Sequence, residues 1–310
     1  MQAPASYPAA CPAPAPRPGE LVQAVAPAGV FDQEAFRKGL ARLQEHFRVR
    51  FDPGITRRKG FLAGDDEQRY RELVTALQDT EIKALIAVRG GYGSTRLLDR
   101  IDPALIARNP KPLVGFSDLT ALHALWARAG VRSLHATMLA RLGGRSRPLF
   151  DRWLSALGGA VPDPLTGLQP VSGGRVSGAL VGGNLSILAA LLGTGHEPPL
   201  EGRVLFLEDT NERPYRVDRM LTSLIQAGWL RRVSGVALGA FNKIPTGQDG
   251  VAVEQVLAER LGSLGIPVVS GVLAGHISDN LELPLGARVR LDADEGVLEF
   301  LEPATVRTQG

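Results

Sequence analysis

Short apolar runs alternate with amphipathic segments from residue 20 to about residue 150. The runs LVQAV, KALIAV and PLVG are mostly apolar and are followed by loops rich in Gly, Pro or Ser, which predicts buried strands. In the segment FDQEAFRKGLARLQEHF the apolar positions recur every three or four residues and predict one buried helical face: Phe36, Leu40, Leu43 and Phe47. The segment DDEQRYRELVTALQD repeats this helical spacing.

The alternation of strand and helix predicts an α/β fold in which an open, mostly parallel sheet has helices on both faces. A stretch rich in Gly and Pro follows and predicts a linker. Further short strands and helices after it predict a smaller, mixed α/β domain with barrel-like strands. We therefore predict four parts: a flexible Ala/Pro tail (1–18), an N-terminal domain (19–150), a linker (151–174) and a C-terminal domain (175–310).

Composition indicates a globular protein with a small-molecule or peptide partner. The chain has 310 residues, of which 44% are hydrophobic and 22% charged, and its formal net charge is +3. Because its basic residues are interspersed with acids, we expect neither nucleic acid nor a membrane surface as a partner. The single cysteine, Cys11, allows no internal disulfide and no thiolate cluster for a metal. We expect no metal, no cofactor and a cytoplasmic location.

The sequence GFSDLT follows an apolar run and has two interpretations. Ser117 could cap a helix, with Asp118 near the positive end of the helix dipole. A serine on a tight turn between strand and helix is also the arrangement of a nucleophile beside an oxyanion hole. The full GxSxG pattern is absent because Leu119 stands at the second glycine position. The local string leaves both interpretations open.

The glycine-rich sequence RGGYGSTRLL comes at the end of an earlier predicted strand. It lacks the lysine of a Walker A motif and does not match GxGxxG. Its glycines would let backbone amides approach a developing oxyanion closely. The alternative is an ordinary turn that Ser94 or Thr95 caps before a short helix.

A nucleophilic serine needs a base, and the base needs an acid that orients it. Of the five histidines, two lie in predicted helices, one ends a strand and one precedes two prolines: His46, His123, His135 and His196. His276 differs because it lies in a Gly-flanked loop with polar neighbours. Glu208 and Asp209 end a predicted strand, where either could supply the acid or be a capping or surface charge.

Six strings, taken in order, resemble the LD-carboxypeptidases, a family of Ser-Glu-His peptidases related to microcin C self-immunity peptidases: APAG, RGGYGSTRLL, GFSDLTALH, GALVGGNLSIL, LFLEDTNERPYRVDRML and GHISDNLELPLG. The resemblance covers about residues 19–303. It implies Ser117 as the nucleophile, Glu208 as the acid and His276 as the base. It also implies an oxyanion hole formed by the amides of Gly91 and Asp118.

The resemblance implies a homodimeric serine carboxypeptidase that releases terminal D-Ala from murein tetrapeptides in peptidoglycan recycling. Two departures affect the substrate loops: PAG stands for the family's usual PSG, and LHATM for HGPM. We expect substrate contacts from Arg89, Tyr92 and Asn184. Arg89, Arg96 and Lys243 are the candidate cations for the substrate's terminal carboxylate, with Arg89 the first choice. The alternatives are a self-immunity peptidase acting on peptidyl or aminoacyl nucleotides, and a ligand-binding module without catalysis.

Overall fold

A computed structural model describes residues 9–243 and 250–307. Its strands are β1 Ala13–Pro14, β2 Leu21–Val25, β3 Arg48–Arg50, β4 Ile82–Ala87, β5 Leu113–Gly115, β6 Ser133–His135, β7 Gln169–Ser172, β8 Arg175–Asn184, β9 Val204–Thr210, β10 Gly235–Asn242, β11 Val268–Ser270, β12 Leu283–Leu285, β13 Arg288–Asp292, β14 Val297–Phe300 and β15 Thr305–Val306. Its α-helices are α1 Gln33–Gln44, α2 Asp66–Gln78, α3 Pro103–Arg108, α4 Thr120–Arg128, α5 Leu139–Leu142, α6 Arg147–Leu157, α7 Leu185–Ala190, α8 Pro214–Gln226 and α9 Val253–Gly262. Short 3-10 helices cover Ser94–Arg100, Ser117–Leu119 and Trp229–Arg231.

The N-terminal sheet is open and mostly parallel, which confirms the prediction. Its order is β12-β6-β5-β4-β2-β3, and all neighbours pair in parallel except β12 with β6. Buried side chains of α2 and α4, including Leu73 and Trp126, pack on one face. Phe36 of α1 and Trp153 of α6 belong to the core on the other face. The carboxyl ends of β4 and β5 thus share one edge, where binding crevices form in such sheets.

The C-terminal sheet has seven strands in the order β14-β13-β8-β9-β10-β11-β7 and forms a curled half-barrel. Its central strands β8 to β11 pair in parallel, and antiparallel strands flank them. Apolar side chains of α7, α8 and α9 cover one face, with Leu188, Leu221 and Leu257 among them. Mixed α/β organisation with barrel-like strands is therefore confirmed for this part of the chain.

Three segments lie differently from the division predicted between the parts. Helix α6 crosses residue 150 and buries Phe150 and Trp153 in the N-terminal core. Strand β7, within the predicted linker, pairs with β11, and β12 adds an antiparallel edge strand to the N-terminal sheet. Helix α6 and strand β12 bury apolar side chains in this way, whereas the side chains of β7 stay exposed or half-buried.

The predicted flexible tail concerned residues 1–18, of which 1–8 lie outside the described residues. In the remainder, the Cys11 amide donates to the Gly130 carbonyl at 2.9 Å. Strand β1 pairs in parallel with β15, so residues 13–14 lie beside residues 305–306. Residues 9–18 therefore lie against the protein rather than free in solvent. Among the described helices, none is long and apolar enough to cross a membrane.

Candidate active site

Ser117 lies on the turn that leaves β5. Its φ of 66° is in the left-handed region, which non-glycine residues rarely adopt and which is typical of strained functional turns. The 3-10 helix that begins here has Phe116 at its N-cap position and no side-chain cap bond. Ser117 is therefore not a helix cap in this structure, and its hydroxyl is turned toward the second half of the chain.

His276 connects Ser117 to Glu208. Its Nε2 lies 3.0 Å from Ser117 Oγ, and its Nδ1 lies 2.7 Å from Glu208 Oε2. The Glu208 side chain is fully buried and that of His276 is 15% exposed. Gly275 has a φ of 121°, and a Cβ there would lie 2.7 Å from Glu208 Oε2. Only glycine permits this close approach, because a side chain would push the histidine loop away from the carboxylate.

Asn184 lies beside the buried carboxylate at the end of β8. Its Nδ2 donates to Glu208 Oε1 at 3.2 Å and to Asp209 Oδ1 at 3.0 Å. Its Oδ1 accepts from the Ile187 amide and caps α7. The predicted substrate contact at Asn184 is thus a side chain whose oxygen and nitrogen both have partners inside the protein.

The two adjacent acids have different surroundings. Glu208 faces His276, whereas Asp209 accepts from the amides of Ser186 at 2.9 Å and Thr210 at 2.8 Å. Burial raises the pKa of Asp209 to about 6. Glu208 is therefore the acid placed to orient the histidine, and Asp209 organises the start of α7.

The glycine-rich loop after β4 lies directly against the Ser117 turn. A Cβ on Gly90 would lie 3.0 Å from Ser117 Cβ and 3.3 Å from the Asp118 amide nitrogen. The Gly90 carbonyl accepts from the Gly29 amide at 3.0 Å, which joins this loop to the APAG loop. The amides of Gly91 and Asp118, predicted to form the oxyanion hole, thus belong to two loops in contact.

A residue that the sequence analysis missed, Arg69 of α2, holds these loops in place. Its guanidinium is fully buried and donates to the carbonyls of Pro27 and Gly93. Gly93 precedes Ser94, whose amide donates to the carboxylate of Asp118 at 2.9 Å. Arg69 lies four residues before Leu73 on the apolar face of α2. An arginine on an apolar helical face was the feature of the sequence that could have identified it.

The other predicted substrate residues are more exposed or already have partners. Arg89 is exposed, donates to the Val30 carbonyl and lines a neighbouring cleft of about 630 Å³. Tyr92 is 47% exposed, and its ring centroid lies 5.5 Å from that of Phe61. Arg96 pairs with Asp66 at 2.7 Å. Of the three candidate cations, Lys243 is the one that lines the cleft with His276.

The remaining histidines have other surroundings. His123 is buried, and its ring nitrogens lie 2.8 Å from Ser133 Oγ and 2.9 Å from the Gly115 carbonyl oxygen. Burial lowers the pKa of His123 to about 4 and that of His135 to about 3, so both rings are neutral at pH 7. His196 lies 2.7 Å from Asp99. Of the five histidines, only His276 contacts Ser117.

A cleft of about 990 Å³ opens beside His276. Its walls come from α1, from the loop after α5 and from residues 276–279, so both halves of the chain line it. Within the described ranges, no group of three or more His, Cys, Asp or Glu side chains could hold a metal ion. The cleft provides room for a peptide next to a hydroxyl, an imidazole and a buried carboxylate.

This arrangement supports nucleophilic attack on an acyl carbon. A neutral imidazole within hydrogen-bonding distance of the hydroxyl can remove its proton, and a carboxylate on the other ring nitrogen fixes the tautomer and stabilises the imidazolium. The strained serine turn exposes the oxygen, and the adjacent loops present amides near it. The chemistry that these groups support is acyl transfer to serine followed by hydrolysis.

Two family models and several known proteins match most of the chain. The model of the LD-carboxypeptidase N-terminal domain matches residues 22–136, and that of the C-terminal domain matches residues 177–291. A putative carboxypeptidase of Synechocystis is 39% identical over 291 residues, covering 92% of this chain and 95% of the relative. A murein tetrapeptide carboxypeptidase of Pseudomonas aeruginosa is 32% identical over 288 residues, covering 88% and 93%.

Solved structures show the same fold. The crystal structure of muramoyltetrapeptide carboxypeptidase from Oxalobacter formigenes superposes with a TM-score of 0.81 at 29% identity, covering 93% of this chain and 100% of that one. The microcin C7 self-immunity protein MccF superposes with a TM-score of 0.86 at 23% identity, covering 95% and 99%. The second likeness concerns the fold alone.

Proposed function

The chain belongs to the LD-carboxypeptidase family and is a serine-type carboxypeptidase, and we propose that it releases terminal D-Ala from murein tetrapeptides by hydrolysing an L,D-peptide bond. The observation that supports the proposal most strongly is the pair of contacts that His276 makes, 3.0 Å to Ser117 Oγ and 2.7 Å to Glu208 Oε2. The names of the Pseudomonas and Oxalobacter relatives support a murein peptide as the substrate.

In the proposed mechanism Ser117 Oγ attacks the carbonyl carbon before D-Ala while His276 Nε2 takes its proton. Glu208 stabilises the imidazolium through Nδ1. Amides of Gly91 and Asp118 stabilise the tetrahedral oxyanion. His276 then protonates the leaving amine of D-Ala, and water enters by the reverse sequence to release the tripeptide from the serine ester.

Three peptides test the substrate assignment: a murein tetrapeptide, the pentapeptide ending in D-Ala-D-Ala, and the tetrapeptide with an amidated terminus. We expect mass spectrometry to show release of one D-Ala from the tetrapeptide alone. A site that pairs with a terminal carboxylate leaves its donors unpaired when the carboxylate is moved or neutralised. Efficient cleavage of the amidated peptide would instead indicate an endopeptidase or amidase.

For the self-immunity alternative, we expect an aromatic side chain in the linker region that stacks on the nucleobase of the substrate. Trp153 is the only aromatic residue in the predicted linker. It is fully buried, and its Nε1 donates to the Thr137 carbonyl at 3.0 Å. Its ring stacks on Phe150 inside the core. This placement favours a murein peptide over an aminoacyl nucleotide as the substrate. Incubation with an aminoacyl sulfamoyl adenosine tests the alternative substrate directly.

We further propose that the protein is a homodimer in the cytoplasm, as the family resemblance implies. Light scattering during size-exclusion chromatography measures the mass in solution, and we expect twice that of the 33.0 kDa chain. A single peak at the mass of one chain would contradict the dimer.

A further inference from the structure

The charged side chains of the catalytic cleft differ in whether they already have partners. Four cations line the cleft: Lys38, Arg141, Arg145 and Lys243. Lys38 pairs with Glu34 at 2.7 Å, and Arg145 pairs with the buried Glu282 at 2.9 Å. Among residues 9–243 and 250–307, neither Arg141 nor Lys243 has a carboxylate within salt-bridge distance. Either side chain is therefore available to an anionic ligand.

Arg141 is the cation with the more direct connection to the reacting groups. Its guanidinium carbon lies 5.9 Å from the ring centroid of Phe116, the residue before Ser117. The Phe116 ring in turn lies 5.0 Å from the ring of His276. The buried Phe116 ring is thus adjacent to both Arg141 and His276, which places the charge near the nucleophile turn.

The backbone that positions Arg141 is held from two sides. The Ala140 amide donates to the Val88 carbonyl at 3.1 Å, at the end of the strand that leads into the glycine-rich loop. On the other side α1 packs so closely that a side chain on Gly39 would overlap the Leu139 carbonyl oxygen. The backbone that carries Arg141 is thus fixed beside the glycine-rich loop, and its exposed side chain lines the cleft. Lys243, by contrast, borders the residues outside the described ranges.

We propose that Arg141 determines the carboxypeptidase specificity of this enzyme by binding the terminal carboxylate of the peptide. The inference rests on the proposed function and adds the residue that recognises the chain end. A guanidinium presents two parallel N–H groups that match a carboxylate, and its pairing with a charged acceptor is stronger than a neutral hydrogen bond. Because the backbone of Arg141 is held beside the Ser117 turn, the proposal has its guanidinium reach a carboxylate one residue beyond the scissile bond.

The test compares Arg141→Met with wild type on the free-acid and amidated tetrapeptides. We expect kcat/KM for the free acid to fall about ten- to hundredfold, the usual loss for one charged hydrogen-bond partner. Any residual rate on the amidated peptide should not change, so the preference for a free carboxylate falls by the same factor. Arg141→Lys should retain part of that preference. Arg147→Met, which removes an exposed arginine paired with Asp151 on α6, is the matched control.

A fluorophosphonate that reacts with the serine but has no carboxylate provides the second measurement. Its labelling rate should be the same in Arg141→Met and wild type. Slower labelling would show that Arg141 supports the nucleophile instead, and the inference would be wrong. If wild type is active and Arg141→Met keeps its selectivity, the inference alone fails, and Lys243→Met then identifies the alternative cation. If wild type releases no D-Ala, the proposed function fails and the inference with it.

Discussion

Replacement of Gly90 by alanine should remove activity without unfolding the protein. The backbone of Gly90 lies outside the left-handed region, so alanine can adopt it. The new methyl carbon would lie 3.0 Å from Ser117 Cβ, 3.2 Å from Ser117 Oγ and 3.3 Å from the Asp118 nitrogen. It would therefore occupy space beside the nucleophile and one proposed oxyanion donor.

The expected size of the effect follows from these contacts. Distances of 3.0 to 3.3 Å are tight but tolerable after small shifts, so the free energy of unfolding should fall by about 1 kcal/mol, the low end of the cost of overpacking. Loss of one oxyanion donor costs about 10²- to 10³-fold in kcat, or roughly 2.7–4 kcal/mol of transition-state stabilisation. The loss of activity should thus exceed the loss of stability severalfold.

The assay measures D-Ala release and thermal unfolding of Gly90→Ala in parallel with Gly262→Ala. The control adds the same methyl group in α9, where its nearest neighbour outside the helix, the Val171 carbonyl oxygen, is 3.6 Å away. We expect the control to keep full turnover. Near wild-type kcat/KM in Gly90→Ala would refute the placement of the oxyanion hole between the two loops.

Three further predictions concern stability and cofactor dependence. Burial raises the pKa of Glu72 from 4.5 to about 7, so its contribution to folding is present below pH 4.5 and is lost as the pH rises to 7. Glu72→Gln should therefore have a free energy of unfolding up to about 3 kcal/mol higher than wild type at pH 8, with a much smaller difference at pH 4. A stability advantage independent of pH would contradict this. Gly39→Ala should destabilise the protein by about 1–3 kcal/mol because the methyl group overlaps the Leu139 carbonyl, whereas Gly262→Ala should not. Because a serine, histidine and glutamate relay needs no metal, turnover should survive exhaustive chelation, and activity restored by a divalent cation would contradict the mechanism.

Periodicity predicted most helices and strands because most of them bury one face or all of their residues. Asp32 caps α1, as its place before the helical pattern indicates. Strand β12 was not predicted. It contains Pro284, and its partner is β6 of the N-terminal sheet, far away in the sequence. A pairing between segments that are distant in the chain leaves no local pattern.

The site shows the same limit. The local sequence around Ser117 could not separate a helix cap from a nucleophile, and the order of six motifs with their family resemblance favoured the nucleophile. The strained turn and the contact with His276 are consequences of the tertiary fold. Arg141 was not predicted as a site residue, because it lies on α5, a helix of four residues that is too short for a periodic pattern. Arg89 attracted attention only because it adjoins the glycines.

The most direct test of the central claim is to identify the residue that reacts with a fluorophosphonate. Peptide mapping by mass spectrometry after labelling should place one adduct on Ser117 in wild type and none in Ser117→Ala. His276→Ala and Glu208→Ala should label far more slowly while their thermal unfolding stays cooperative, because the three residues act as a unit. An adduct on another serine, or wild-type labelling rates in His276→Ala, would contradict the account.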